Sequence, residues 1–165
     1  MHDKRPDGAE RLVLPPSGEI PNNPDLPVLL HRGAVEPGPE AAEALFARHG
    51  WPPAWRNGIY DFHHYHPNAH EALAIAAGRV RVRLGGEGGV TLDLAAGDVV
   101  VLPAGTGHRR LYRSPDLLVV GAYPPGSRPE QFTGRAGELP RALHAIPRVP
   151  DPPCDPVTGA AYPRA

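Results

Sequence analysis

Four of the nine histidines in this 165-residue chain fall together, in His63-His64-Tyr65-His66-Pro67-Asn68-Ala69-His70. On an extended strand, residues two apart share a face, so His64 and His66 point one way while His63 and Tyr65 point the other. Two imidazoles on one face can bite a single metal ion. The opposite register pairs His63 with Tyr65, a poorer ligand set. Glu71 follows the Pro67-Asn68 turn and can add a carboxylate oxygen, and such mixed nitrogen and oxygen ligation suits a divalent transition metal. His70 is the alternative donor if that turn runs differently, and otherwise His63 and His70 support the site or face solvent. A fourth ligand has to come from elsewhere. His108 is the best candidate, because Pro103-Ala104-Gly105-Thr106-Gly107 is a tight turn that returns the chain to the same cavity.

Such a site needs strands to hold it. From Gly58 onward the hydrophobic period is two, with runs over residues 59–66, 71–77, 79–84, 90–94, 98–103, 108–113 and 117–123, most of them separated by glycine turns. Short strands at that spacing predict an all-β sandwich or barrel. In Arg79-Val80-Arg81-Val82-Arg83-Leu84 the arginines form a solvated face opposite an apolar one, and an anion-binding stripe is the second reading. Upstream, Pro39 in a first turn, the run 40–48 and Gly50 as a stop predict one helix, with Ala42, Leu45, Phe46 and His49 on its packed side. Residues 26–31 read as a short strand that Pro27 places at a sheet edge. The chain then divides into an N-terminal arm, edge strand and helix (1–57), a β core (58–126) and a Pro-rich C-terminal segment (127–165) with a short helix near 139–145.

The composition limits the function. Net charge is −1 and the basic residues are scattered, which disfavours nucleic acid as a partner. The single cysteine, Cys154, excludes an intrachain disulfide or a cysteine-rich zinc site, and no basic group adjoins it to activate the thiol. No apolar stretch approaches the roughly 18 residues of a membrane span, and no signal-like segment opens the chain, so a cytoplasmic location and no membrane association are expected.

Two blocks then stand out together. The first runs Gly58, five residues, His64, one residue, His66, four residues, Glu71, six residues, Gly78; the second runs Gly97, five residues, Pro103, one residue, Gly105, two residues, His108. They resemble the two motifs of the cupin superfamily, and the stretches Gly58 to His66, Gly85-Gly86-Glu87, Pro103-Ala104-Gly105 and Val120 to Pro124 resemble the YjlB-type cupins. Ile20 to Pro24 and Asp155 to Gly159 resemble that subgroup's flanking segments. The resemblance implies a small antiparallel jelly-roll β-barrel with a metal at its centre, held by His64, His66, Glu71 and His108. One position departs, since Tyr112 stands where the second motif usually has Asn.

Strand parity adds a pocket. Tyr60 and Phe62 share the face of His64 and His66, and Arg110 and Tyr112 share that of His108. The result is an apolar cavity with Tyr60, Tyr112 and Arg110 as polar handles, suited to a small and possibly anionic molecule. A surface charge at the strand end is the equal alternative for Arg110. The expected cofactor is one divalent transition metal ion, Fe, Mn, Ni or Zn. Iron fits a dioxygenase or oxidase, zinc or manganese an isomerase or hydrolase, and a non-catalytic binder of an anionic metabolite is the third reading. Pro27, the extended arm and the superfamily's habit point to a homodimer.

Overall fold

The apolar run at residues 71–77 alternates in size instead of polarity, and this sets its place in the fold. It forms strand β5 (Glu71–Ala77), covered on both faces. Leu73 and Ile75 turn into a core between two sheets, while Ala72, Ala74 and Ala76 pack with Phe46 and Leu45 of a helix. Alanine on that face lets the helix come close.

The computed structural model describes residues 2–4 and 8–165 and contains two antiparallel sheets. The larger sheet has seven strands in the spatial order β1 (His2–Lys4), β2 (Ala9–Leu12), β3 (Val28–His31), β8 (Val99–Leu102), β5, β10 (Leu118–Ala122) and β4 (Pro53–Asn57). The smaller has three, in the order β7 (Val90–Ala95), β6 (Arg79–Leu84) and β9 (His108–Arg113). Val80, Val82 and Leu84 of β6 face Leu73, Ile75, Val100 and Val119 across the sandwich. Helix α1 (Pro39–Arg48) buries Ala42, Leu45 and Phe46 on the outer side of the large sheet, as its spacing predicts, whereas His49 is half-buried. A second helix, α2 (Glu138–Ala145), joins a small third cluster of Ile20, Tyr65, Phe132, Ala142 and Ile146. No helix among the described residues is long and apolar enough to cross a membrane.

Three expectations change. The expected barrel is a two-sheet sandwich that is not closed among the described residues. Residues 59–66 are not a regular strand: they cross from the end of β4 to the free edge of β9, where His64 and His108 form an isolated bridge. The strand before them, β4, begins at Pro53, which fits an edge that demands no N–H from its first residue. The third change concerns Pro27. It precedes β3, which lies between β2 and β8, so β3 is an interior strand. Residues 9–12, expected as part of an extended arm, supply the strand that covers it.

The C-terminal segment is irregular but anchored. Trp51 Nε1 donates to the Cys154 carbonyl at 3.1 Å, Tyr162 Oη to the Pro27 carbonyl at 2.7 Å, and His31 Nε2 meets Asp155 Oδ2 at 2.8 Å. Burial raises the Asp155 pKa, but the hydrogen bond from His31 and its charge outweigh it, leaving the carboxyl below its ordinary value. Both side chains are 4% exposed. Breaking such a buried pair costs about 3–5 kcal/mol, so Asp155→Asn should lower the denaturation midpoint at pH 7 by that equivalent. The pair's contribution from Asp155 is present above the ordinary aspartate range, near pH ~3.9, and is lost as pH falls through the lower folded value. Urea titrations should therefore show a flatter acid limb in the variant; equal midpoints at pH 7 would contradict the assignment.

Candidate metal centre

Glu71 opens β5 and His108 opens β9, so each projects from the end of a regular strand at one mouth of the sandwich. His64 and His66 come from the crossing segment, tied to β9 by His108 N to His64 O at 2.9 Å and to the 103–107 turn by Gly105 N to His66 O at 2.8 Å. That turn is fixed from a distance. Asn22, 1% exposed with φ 55°, accepts from Gly107 N at 3.0 Å and donates to the carbonyls of Pro15 and Gly85. Asn23 donates to the Ala104 carbonyl at 3.0 Å. The Pro21-Asn22-Asn23 segment thus holds the loop that delivers His108, a role that local sequence gives no means to see.

The imidazoles are oriented by main-chain carbonyls. His64 Nδ1 meets Phe62 O at 3.0 Å, His66 Nδ1 meets Glu130 O at 2.7 Å, and His108 Nδ1 meets Thr106 O at 3.0 Å. A carbonyl only accepts, so each Nδ1 carries the proton and each Nε2 is free to act as a ligand. Nε2 of His66 and of His108 lies 3.4 and 3.3 Å from the same Glu71 Oε1. A lone pair facing a carboxylate at that distance repels unless a proton or a cation lies between them. His66, Glu71 and His108 together offer three donor atoms within 4.8 Å of one another. The His64 ring stands beside them, 4.0 Å from that of His108 and 6.1 Å from that of His66 between centroids.

The electrostatics follow from burial. Glu71 is 3% exposed. Burial alone would raise its pKa, yet the His108 and His66 imidazoles, which donate to it from Nε2 when a second proton occupies that atom in place of a cation, hold it well below the carboxylate range. At His66 burial acts downward, and Glu71 with the Glu130 carbonyl outweighs it, so this imidazole is raised. Burial and the neighbouring His108 push His64 down to about 3. Burial and the charge of Glu71 raise the Tyr123 phenol above its ordinary value, and its oxygen accepts from Trp55 Nε1 at 3.1 Å. Trp55 fits there because residue 121, its cross-strand partner, is glycine; a Cβ at Gly121 would lie 2.0 Å from the indole.

A cavity of about 250 Å³ opens onto these groups and is lined by His64, His66, Glu71 and His108 together with Trp55, Asn57, Tyr60, Tyr123 and Gln131. Tyr60 stands at its mouth, 53% exposed and stacked on Phe62 at 4.9 Å between centroids; Phe62 flanks the His64 ring and is not part of the lining. Arg110 also lies outside the lining, its guanidinium 3.7 Å from Asp61 at the surface. Tyr112 is on the opposite face. The β6–β9 register shifts so that Val82 opposes Arg110 and Arg81 opposes Tyr112, leaving Leu111 as a bulge that reverses the strand's parity. His63 points outward to Glu87 at 2.6 Å. His70 has both nitrogens engaged, accepting from Ala104 N at 3.0 Å and donating to the Pro150 carbonyl at 2.8 Å, so it braces the turn and has no free lone pair. Tyr123, Trp55, Asn57 and Gln131 were not foreseen as lining residues. For Tyr123 a signal existed, since Val119, Gly121 and Tyr123 share the parity that faces Ile75 and Leu73 across β5.

Asn22→Ala would orphan several buried main-chain groups, each at about 1–3 kcal/mol. The expected result is a Tm lowered by more than about 5 °C, with amide shifts concentrated at Gly85 and Gly107. An unchanged Tm would show that the loop holds itself.

Residues 55–116 match the cupin domain family. The Bacillus subtilis (strain 168) protein named Uncharacterized protein YjlB is 39% identical over 150 residues, covering 91% of this chain and 90% of that protein. Solved structures overlap more loosely. A DUF861 family protein of Thermotoga maritima has 24% identity and TM-score 0.36, covering 57% of this chain and 96% of that one. A Klebsiella pneumoniae protein with a double-stranded β-helix domain has 16% identity and TM-score 0.38, covering 79% and 87%. Bacillus subtilis oxalate decarboxylase has 17% identity and TM-score 0.35, covering 65% of this chain and 22% of that one. These structural overlaps assign no residue a role. From the YjlB identity along nearly the whole chain, with the cupin match across the segment that carries His64, His66, Glu71 and His108, this protein belongs to the cupin family as a YjlB-like member.

Proposed function

We propose that this protein is a metal-dependent enzyme of the dioxygenase or oxidase type, with one divalent transition ion held by His64, His66, Glu71 and His108. One observation carries the reading: His66 and His108, each locked at Nδ1 by a main-chain carbonyl, turn Nε2 toward one buried carboxylate oxygen, and the His64 ring, locked in the same way, stands 4.0 Å from that of His108 between centroids. That donor set, three nitrogens and one oxygen, suits Fe, Mn, Ni or Zn. When bound, such an ion supplies redox or Lewis-acid chemistry at the cavity.

The chain's own residues then have distinct parts. Tyr123, held by Trp55, places its hydroxyl in the cavity that Glu71 also lines. Asn57 and Gln131 offer neutral hydrogen-bonding groups to a small molecule, and Tyr60 closes the mouth. No Lys or Arg lies among the lining residues described, so an anionic ligand would be met by the ion and not by Arg110. A Lewis-acid isomerase or hydrolase is the second reading, favoured by the two tyrosine hydroxyls placed as proton carriers beside Glu71 and at the mouth.

Elemental analysis of untagged protein should find close to one transition ion per chain, and His66→Ala or His108→Ala should lose most of it. Iron with oxygen uptake selects the oxidative reaction; zinc or manganese without uptake selects the second. Stoichiometric metal retained in both variants refutes the ligand set. A homodimer is part of the same proposal, with the sheet ends at β1 and β4 replacing β3 as the available edges. Light scattering should give twice the 17.6 kDa chain mass, and a monomer mass overturns it.

A further inference from the structure

The outer face of the small sheet carries positive charge that the pocket does not use. Strands β6 and β9 set Arg83 directly opposite Arg109, an arrangement that is unfavourable for like charges. The bridge between His64 and His108 brings His63 alongside on the same outward parity. Glu87, in the turn Gly85-Gly86-Glu87-Gly88-Gly89, folds over all three. Its Oε1 lies 2.6 Å from His63 Nε2 and 3.9 Å from Arg109 Nη1, and its carbonyl accepts from Arg83 Nη2. Yet the Glu87 side chain is 81% exposed. The turn's main chain is pinned separately, by Gly88 N donating to Ser17 Oγ at 2.9 Å, so the carboxylate is free to leave without moving the turn. A buried nitrogen of the cluster, Arg109 Nε, has no hydrogen-bond partner, so one carboxylate does not use every donor gathered there.

We propose that His63, Arg83 and Arg109 form a binding site for an external oxyanion, a phosphate or carboxylate group, which the Glu87 side chain occupies in the free protein. A flat guanidinium pair with an imidazole beside it matches the several oxygens of such a group. The site lies back to back with the pocket: His63 adjoins His64 and Arg109 adjoins His108, and successive residues of an extended chain face opposite sides. An anion bound here therefore sits one residue away from two of the pocket histidines.

The test is a titration of inorganic phosphate into the protein at pH 7 and constant ionic strength, followed by amide shifts of Arg83, Glu87 and Arg109, with acetate as a parallel arm. Glu87→Ala removes the internal competitor and should bind phosphate or acetate at least about tenfold more tightly than the unaltered protein. The tighter of the two names the ligand class. Adding Arg109→Ala to Glu87→Ala should abolish the saturable shift, and Arg83→Ala in the same background serves if that variant fails to fold. No saturable binding in Glu87→Ala, or binding that survives loss of the arginines, overturns the proposal.

Discussion

A carboxylate placed where water barely reaches is the constraint on which this structure turns. Glu71 stands at the start of β5, in the middle of a sheet covered on both faces. An ionised group there is costly unless charge and hydrogen bonds answer it. His66, His108 and Tyr123 converge on it from three other parts of the chain, and each is itself held: the two imidazoles by carbonyls, the phenol by Trp55. Oriented ligands backed by such outer partners are the way proteins set the geometry and basicity of a metal site.

The supports reach far along the chain because the centre is assembled from segments distant in sequence. The 103–107 turn, which sets His108, is held by Asn22, Asn23 and His70. The C-terminal segment ties down His31, Trp51 and Pro27. The size alternation of β5 belongs to the same logic, for its alanine face admits α1 closely while its leucine and isoleucine face fills the sandwich. Gly121 does for Trp55 what those alanines do for the helix, opening room at one cross-strand position for a large ring.

The two-residue alternation of extended chain divides chemistry between two sides of one thin layer. At residues 63 and 64, and again at 108 and 109, one side chain enters the pocket and its neighbour joins the charged outer face. Histidines so placed are inner donors or outer ones according to parity alone. A bulge is enough to reverse the assignment, and Leu111 does this for everything beyond Arg110 on β9.

Much of this was legible in the residues themselves. Helix α1 and the strands from Glu71 onward follow from local signals, proline and glycine punctuation and period-two hydrophobicity; the spacing between two motifs singled out His64, His66, Glu71 and His108, of which His66, Glu71 and His108 bring donor atoms within 4.8 Å of one another. These depend on neighbours within a few positions, which a sequence displays directly. Other features depend on pairing between distant segments. Whether Pro27 precedes an edge or an interior strand depends on what lies beside it, and β2 supplies that neighbour. Tyr112 left the expected pocket through a single extra residue in the β6–β9 register, which alternation along one strand does not reveal, while Arg110 kept its parity and reached Asp61 instead. Tyr123 and Trp55 entered it through the register of β10 between β4 and β5. The sequence by itself thus determined which side chains have the chemistry and which short elements form; tertiary pairing alone decided which face each presents, because register is a relation between two strands and belongs to neither.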